Sequence, residues 1–324
     1  MIPIKRFVPY FTSFILFALA WIAFQKSGWW CWIPLLFSFG FIPLAEMLLK
    51  PDPNNDDPQE EATLKNNRVF DFILYTATLF HFLLLVFFLS GISKWNNPLD
   101  LAGRIISMGI LCGVFGINLA HELGHRTKSF ERFLSKALLL TSLYMHFYIE
   151  HNKGHHTRVS TPDDPASARR DESIFSFWIR SISGSYRSAW VIANHDAQKS
   201  KIRISALANE MMIFQIIQIL FLSAIGIFIG LKAFIGFTLA AIIGILLLES
   251  VNYIEHYGLT RKKTEDNRYE RVQPHHSWNS DHILGRWMLF ELSRHSDHHH
   301  LASRKFQILR SIQQAPQMPT GTRV

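Results

Sequence analysis

This chain has little charge and almost no cysteine. Asp, Glu, Lys and Arg make up 18% of its 324 residues, against roughly a quarter in soluble domains. Only two cysteines occur, Cys31 and Cys112, both inside apolar runs, so a disulfide scaffold is excluded. With 48% hydrophobic residues, intrinsic disorder is excluded too. Collagen-like periodicity, internal repeats and low-complexity tracts are absent. What the chain has instead is phenylalanine, 27 of them, in long apolar runs.

A spanning helix needs about 20 mainly apolar residues. Six segments qualify: 7–25, 28–49, 70–92, 101–120, 211–231 and 234–255. The first two nearly touch, as do the last two, so each pair reads as a tight hairpin. The first has a basic start but no small-residue cleavage site, so it is not read as a secretory signal. A seventh apolar stretch, 133–149, is expected to be a re-entrant or interfacial helix. If it crossed, it would put the histidines at 121–125 and 151–156 on opposite faces of the bilayer.

With a cytoplasmic N-terminus, this topology leaves twenty-nine Lys and Arg on the cytoplasmic side and four on the other: Lys26, Lys94, Arg104 and Lys232. That asymmetry fixes the orientation and accounts for the net charge of +8. No basic-aromatic pattern points to nucleic acid. The expected organisation is 1–120 (four spans), 121–209 (a cytoplasmic histidine region with an interfacial helix), 210–256 (two spans) and 257–324 (a cytoplasmic C-terminal cap).

The sixteen histidines are concentrated. His121 and His125 end the fourth span, His151, His155 and His156 follow the ambiguous stretch, His256 ends the sixth span, and His295, His298 and His299 lie near the C-terminus. Residues three or four apart share a helix face. The spacing therefore predicts that His121 and His125 face one way, as do His151 with His155, and His295 with His298 and His299. Neutral imidazole suits Fe, Zn, Cu and Ni. Nine histidines are too many for one ion and suit two, with four or five ligands each. His300 points off that face. His81 and His146 are expected to be packed core residues and His195 a surface one; His275, His276 and His282 read as packing or docking residues.

Ligating histidines commonly donate their other N–H to a carboxylate. Glu122, Glu150, Glu255 and Asp297 neighbour the ligands in sequence and are candidates to support an adjacent one, with Asp164 a weaker candidate. Two other readings of the histidines stand beside an oxygenase. His121-Glu122-Leu123-Gly124-His125 is also the HExxH pattern of a zinc protease, which would leave seven histidines without a task. A metal transporter would place ligands near the bilayer midplane, whereas these cluster at one face.

The motifs HELGHR (121–126), EHNKGHH (150–156), NYIEHYGL (252–259) and LSRHSDHH (292–299), with TPDDPAS, ESIFSF and RYERVQPHHSWNSDH between them, resemble the integral-membrane alkane monooxygenase family, part of the histidine-rich di-iron hydroxylase and desaturase group. The similarity covers roughly residues 40 to 321. It implies an all-α integral membrane protein of six transmembrane helices, with a cytoplasmic helical cap and two non-haem irons held by the nine histidines. It also implies terminal hydroxylation of alkanes by O2 in a bacterial inner membrane, with electrons from rubredoxin and its reductase. A desaturase, or a hydroxylase of another hydrocarbon, would share the same metals. Family members usually continue beyond the position of Val324; no ligand is missing.

Overall fold

The computed structural model describes residues 3–199 and 209–318. The parts of the expected histidine region and cap at 200–208 and 319–324 lie outside the described residues. Among the described residues, six helices are long and apolar enough to cross a membrane: Val8–Gln25, Gly28–Leu48, Arg68–Lys94, Pro98–Gly124, Glu210–Ile229 and Leu231–His256. They are called here the first to sixth spans, and each begins and ends within a few residues of its hydropathy segment.

Local chemistry sets the span ends. The Asn97 side chain accepts the N–H groups of Leu99 and Asp100, with Pro98 at the first helical position, where its missing N–H costs nothing. Asn67 and Asn209 cap the third and fifth spans in the same way, satisfying donors that a helix start leaves free. The hairpins turn at Gly28 and Gly230, with φ of 69° and 112°, a region glycine enters without a Cβ clash. Arg104 is buried but satisfied. It donates to the carbonyls of Ala23 and Lys26 at the C-terminal end of the first span, where the helix dipole favours a cation.

Span four is the central stave: 78% of its apolar window is buried, against 17% for the second span and 11% for the fifth. The sixth span crosses it closely at Gly244. A Cβ there would lie 2.7 Å from Cys112 Cβ and 3.0 Å from the Gly113 backbone nitrogen. Backbone cannot yield as a flexible side chain does, so Gly244→Ala is expected to destabilise the fold by about 1–3 kcal/mol, the usual cost of overpacking. Thermal unfolding in detergent checks this, with Gly40→Ala as control, since no atom lies within 4 Å of a Cβ built there. An unchanged midpoint for Gly244→Ala would show that the crossing is loose.

The stretch 133–149 is not one interfacial helix. A helix spans Ser129–Leu140, and the chain then turns before the short helix Phe147–Ile149. The turn is a Schellman motif, in which Tyr144 N–H donates to Leu139 O and Leu143 N–H to Leu140 O, around Leu143 at φ 52°. That left-handed position usually belongs to glycine, so a leucine there hides the helix end. The stretch is not one of the six crossing helices, and the histidine clusters stay at one end of the bundle.

At that end, the segment after the second span clasps the C-terminal segment. Its helix Pro58–Lys65 is capped by Asp57. Glu61 pairs with Arg310, Asn55 exchanges hydrogen bonds with Ser311, and Arg294 donates to the carbonyls of Asp52 and Asn54.

Candidate metal centre

The four histidine-bearing segments converge. His121 lies in the last turn of the fourth span and His256 ends the sixth. His295, His298 and His299 ride the short helix His295–His300. His151 and His155 lie on a π-helical turn, Glu150–His155, and His156 begins the turn after it.

Their Nε2 atoms form two separate chains. In one, His121 meets His298 at 2.9 Å, His298 meets His156 at 3.2 Å, His156 meets His151 at 3.0 Å, and His151 meets His125 at 3.1 Å. In the other, His155 meets His299 at 3.2 Å, His299 meets His295 at 2.9 Å, and His295 meets His256 at 3.2 Å. The nine residues thus divide into a set of five (His121, His125, His151, His156, His298) and a set of four (His155, His256, His295, His299). All are buried except His125 and His156, which are half-buried.

This division departs from the face-sharing read from spacing. In a π turn the bonded neighbour is five residues away, not four. His151 therefore shares a set with His156, while His155 points into the other. On the last helix, His298 joins the set of five, and His295 with His299, four apart, join the set of four.

The sets fit metal ions better than they fit hydrogen bonds. A neutral imidazole has one donor and one acceptor nitrogen, so an Nε2 facing two others cannot satisfy both with one proton or one lone pair. A metal–nitrogen bond of about 2.1 Å, taken at right angles, gives a polyhedron edge of about 3.0 Å, and the observed separations fall around that value. Burial keeps the rings neutral, as ligands must be. It draws His125 down to about 4 and holds His151, His156, His295, His298 and His299 well below the usual histidine value.

His155 differs. Burial pulls it down, but the Asp164 carboxylate outweighs burial and raises it. Asp164 Oδ2 lies 2.9 Å from His155 Nδ1 and also accepts the Ser167 hydroxyl at 2.5 Å. Despite its own burial, Asp164 is held below the ordinary carboxylate range by His155. The outer nitrogen of His155 is thereby the donor, and its Nε2 lone pair is left facing the set of four.

The four carboxylates picked out by sequence have different surroundings. Glu255 Oε2 lies 3.3 Å from His295 Nε2, while its Oε1 has no partner, so it sits beside the set of four. Glu122 turns away from the histidines to Arg126 and the Phe306 N–H. Arg126 also reaches Asp71, which locks the end of the fourth span. Asp297 accepts the Arg310 N–H and faces Arg304, anchoring the segment after the last histidine helix. Glu150 takes Arg158 and the Ser188 hydroxyl; burial, with Asp164 nearby, pushes it up to about 7.

Two of the other histidines have ordinary roles. His81 is buried against Thr141 Oγ1 at 2.8 Å, and His195 is on the surface. Glu270, His275 and His276 also gather within ligand range. There, however, His276 Nδ1 accepts the Gln273 N–H at 2.9 Å. Its proton is therefore on Nε2, facing Glu270 at 3.3 Å, and that nitrogen has no lone pair to give.

Sequence reasoning gave too little weight to Asp164. It is nine residues from the histidine it holds, in a Thr-Pro-Asp-Asp-Pro turn, and no helical spacing relates the two.

Known proteins are similar to this chain over most of its length. A family model described as Fatty acid desaturase matches residues 98–322. Alkane 1-monooxygenase of Ectopseudomonas oleovorans is 37% identical over 309 residues, covering 93% of this chain and 75% of that protein. Alkane 1-monooxygenase 1 of Alcanivorax borkumensis is 36% identical over 305 residues, covering 92% and 74%. The hydroxylase component of the xylene/toluene monooxygenase of Pseudomonas putida is 27% identical over 318 residues, covering 96% and 82%. With this coverage and a two-part histidine centre at one end of six spans, the chain belongs to the alkane 1-monooxygenase family of multi-pass membrane proteins.

Proposed function

We propose that the protein is a membrane di-iron alkane 1-monooxygenase. It converts a terminal methyl group, O2, two electrons and two protons into a primary alcohol and water. The observation that carries this reading is the division of nine converging imidazoles into sets of five and four. We assign all nine as ligands, one iron to each set. Iron, when bound, would supply the activation of O2 and the redox chemistry. The chain's own residues hold the ligands neutral, orient His155 through Asp164, and place Glu255 beside the set of four. Phe290, Leu292 and Leu309, together with Asn118 and Glu122, line a small void against His121 and His298.

The electron donor in this reading is rubredoxin, reduced by its reductase and docking at the histidine end of the bundle. The Lys and Arg asymmetry supports a cytoplasmic placement of that end, in the inner membrane of a bacterium. It would also attract an acidic partner. A second reading, a desaturase or a hydroxylase of another hydrocarbon, draws on the family description and on the xylene/toluene relative.

The deciding experiment supplies the iron-loaded protein in lipid nanodiscs with rubredoxin, its reductase, n-alkanes and 18O2. The expected product is the 1-alkanol carrying one labelled oxygen. An alkene would favour desaturation. Absence of alkanol from an iron-loaded preparation, with methylarenes oxidised instead, would move the assignment to the other hydroxylase.

A further inference from the structure

The helix Ile174–Lys199 is not one of the six spans, yet it lies against one. Phe177 packs on Tyr253 with ring centres 5.4 Å apart. One turn on, the Ser181 hydroxyl donates to Glu249 Oε2 at 2.5 Å. The two helices therefore run antiparallel, and the contact extends down to Leu246. Leu246 is ten residues before the end of the sixth span, about 15 Å along its axis at 1.5 Å per residue. The groove between the helices therefore runs along the flank of the sixth span.

The groove is open rather than enclosed and has a volume of about 630 Å³, within the range of small-molecule sites. Phe175, Trp178, Ile179, Ile182 and Tyr186 form one stripe of the 174–199 helix along it, with Leu246 opposite, His146 in its wall, and Ser183 and Arg187 completing the lining. Phe175 and Ile179 are 69% and 75% exposed.

Among the described residues, two buried polar atoms of this lining find no partner: His146 Nε2 and the Trp178 indole N–H. His146 is only 4% exposed, and an unpaired buried polar group costs about 1–3 kcal/mol. Burial draws His146 down to about 3, so at neutral pH it presents one donor and one acceptor nitrogen. Trp178 can only donate. A hydroxyl both donates and accepts, so it is the smallest group that pairs with either atom. An alkane, or the methylene chain of a phospholipid, would leave both unpaired.

The groove also lies close to the metal centre. His151 stacks on Phe147 at 4.7 Å, Phe147 meets Tyr144 at 6.1 Å, and Tyr144 meets His146 at 4.3 Å. A short run of rings is all that separates a proposed ligand from the groove wall.

We propose that this groove is a holding site for a long-chain primary alcohol, its alkyl chain along the Phe175–Tyr186 stripe and its hydroxyl at His146 and Trp178. The proposal rests on the alkane hydroxylase reading, because such an alcohol is that reaction's product. The site would hold that alcohol on the outer side of this wall of rings.

The test is photolabelling of the iron-loaded protein in phosphatidylcholine nanodiscs with an alkyl 1-alkanol carrying a diazirine near its hydroxyl. Labelled residues are expected on 175–187 and around His146. Excess unmodified 1-alkanol should abolish the labelling, and equal excesses of n-alkane or phosphatidylglycerol should not. Ile182→Trp, which fills the groove, should lose the label. His146→Phe with Trp178→Phe, which keeps the shape, should lose the preference for alcohol over alkane. Labelling elsewhere, or equal displacement by alkane or by phosphatidylglycerol, would overturn the proposal. Binding is read without turnover. If no alkane is hydroxylated while the groove still selects alcohol, the function reading fails and the alcohol site stands.

Discussion

Replacing His298 with alanine is expected to lower bound iron to about one per chain or fewer and to abolish alkane hydroxylation. His298 Nε2 is the link in the set of five that touches both His121 and His156. Its removal leaves four nitrogens and a buried gap in place of the fifth. A first-row metal loses affinity steeply with each donor it lacks, and the proposed reaction would draw on both irons. His299→Ala should do the same to the set of four, where His299 joins His155 and His295. His300→Ala is the matched control, because His300 is exposed on the same short helix and belongs to neither set. Metal content and alkanol formation, measured on the same preparations, decide the matter. A His298→Ala protein that kept full iron and full turnover would remove that residue from the ligand shell.

Asp164→Asn is expected to cost about 10–100-fold in metal affinity or turnover, the usual effect of losing a carboxylate behind a ligating histidine. The carboxylate lies 2.9 Å from His155 Nδ1 and is itself held by the Ser167 hydroxyl and the Ala166 N–H. An asparagine fits the same space but carries no charge, and in one orientation it presents N–H to the ring, favouring the tautomer that would turn the lone pair away from the set of four. Iron should then be lost selectively from that set, and chelator challenge reads this as a faster-released fraction in the variant. Ser167→Ala, which loosens the carboxylate without removing it, should fall between the two. Release kinetics for Asp164→Asn identical to the native protein would mean that His155 is oriented by packing alone.

The spans were legible because transfer of backbone into lipid demands long apolar helices, and hydropathy shows these directly. The candidate ligands were legible because helical spacing puts His121 and His125, or His295 and His299, on a common face. Their sorting into two sets was not legible. It depends on a single π turn at Glu150–His155, where Gly154 interrupts the helical pattern without telling a π turn from any other break. The break at 141–146 was hidden for a related reason, a leucine at a position where glycine would have announced the end of the helix. Asp164 and the clasp of 50–67 on the C-terminal segment are tertiary contacts between distant residues, which periodicity does not encode.

The most direct test of the central claim is the metal content of the purified protein after reconstitution with Fe(II), by elemental analysis per chain. Two sets of histidines predict about two irons, with His298→Ala and His299→Ala each losing at least one. A single tightly held ion, unchanged in both variants, would contradict the two-ion centre.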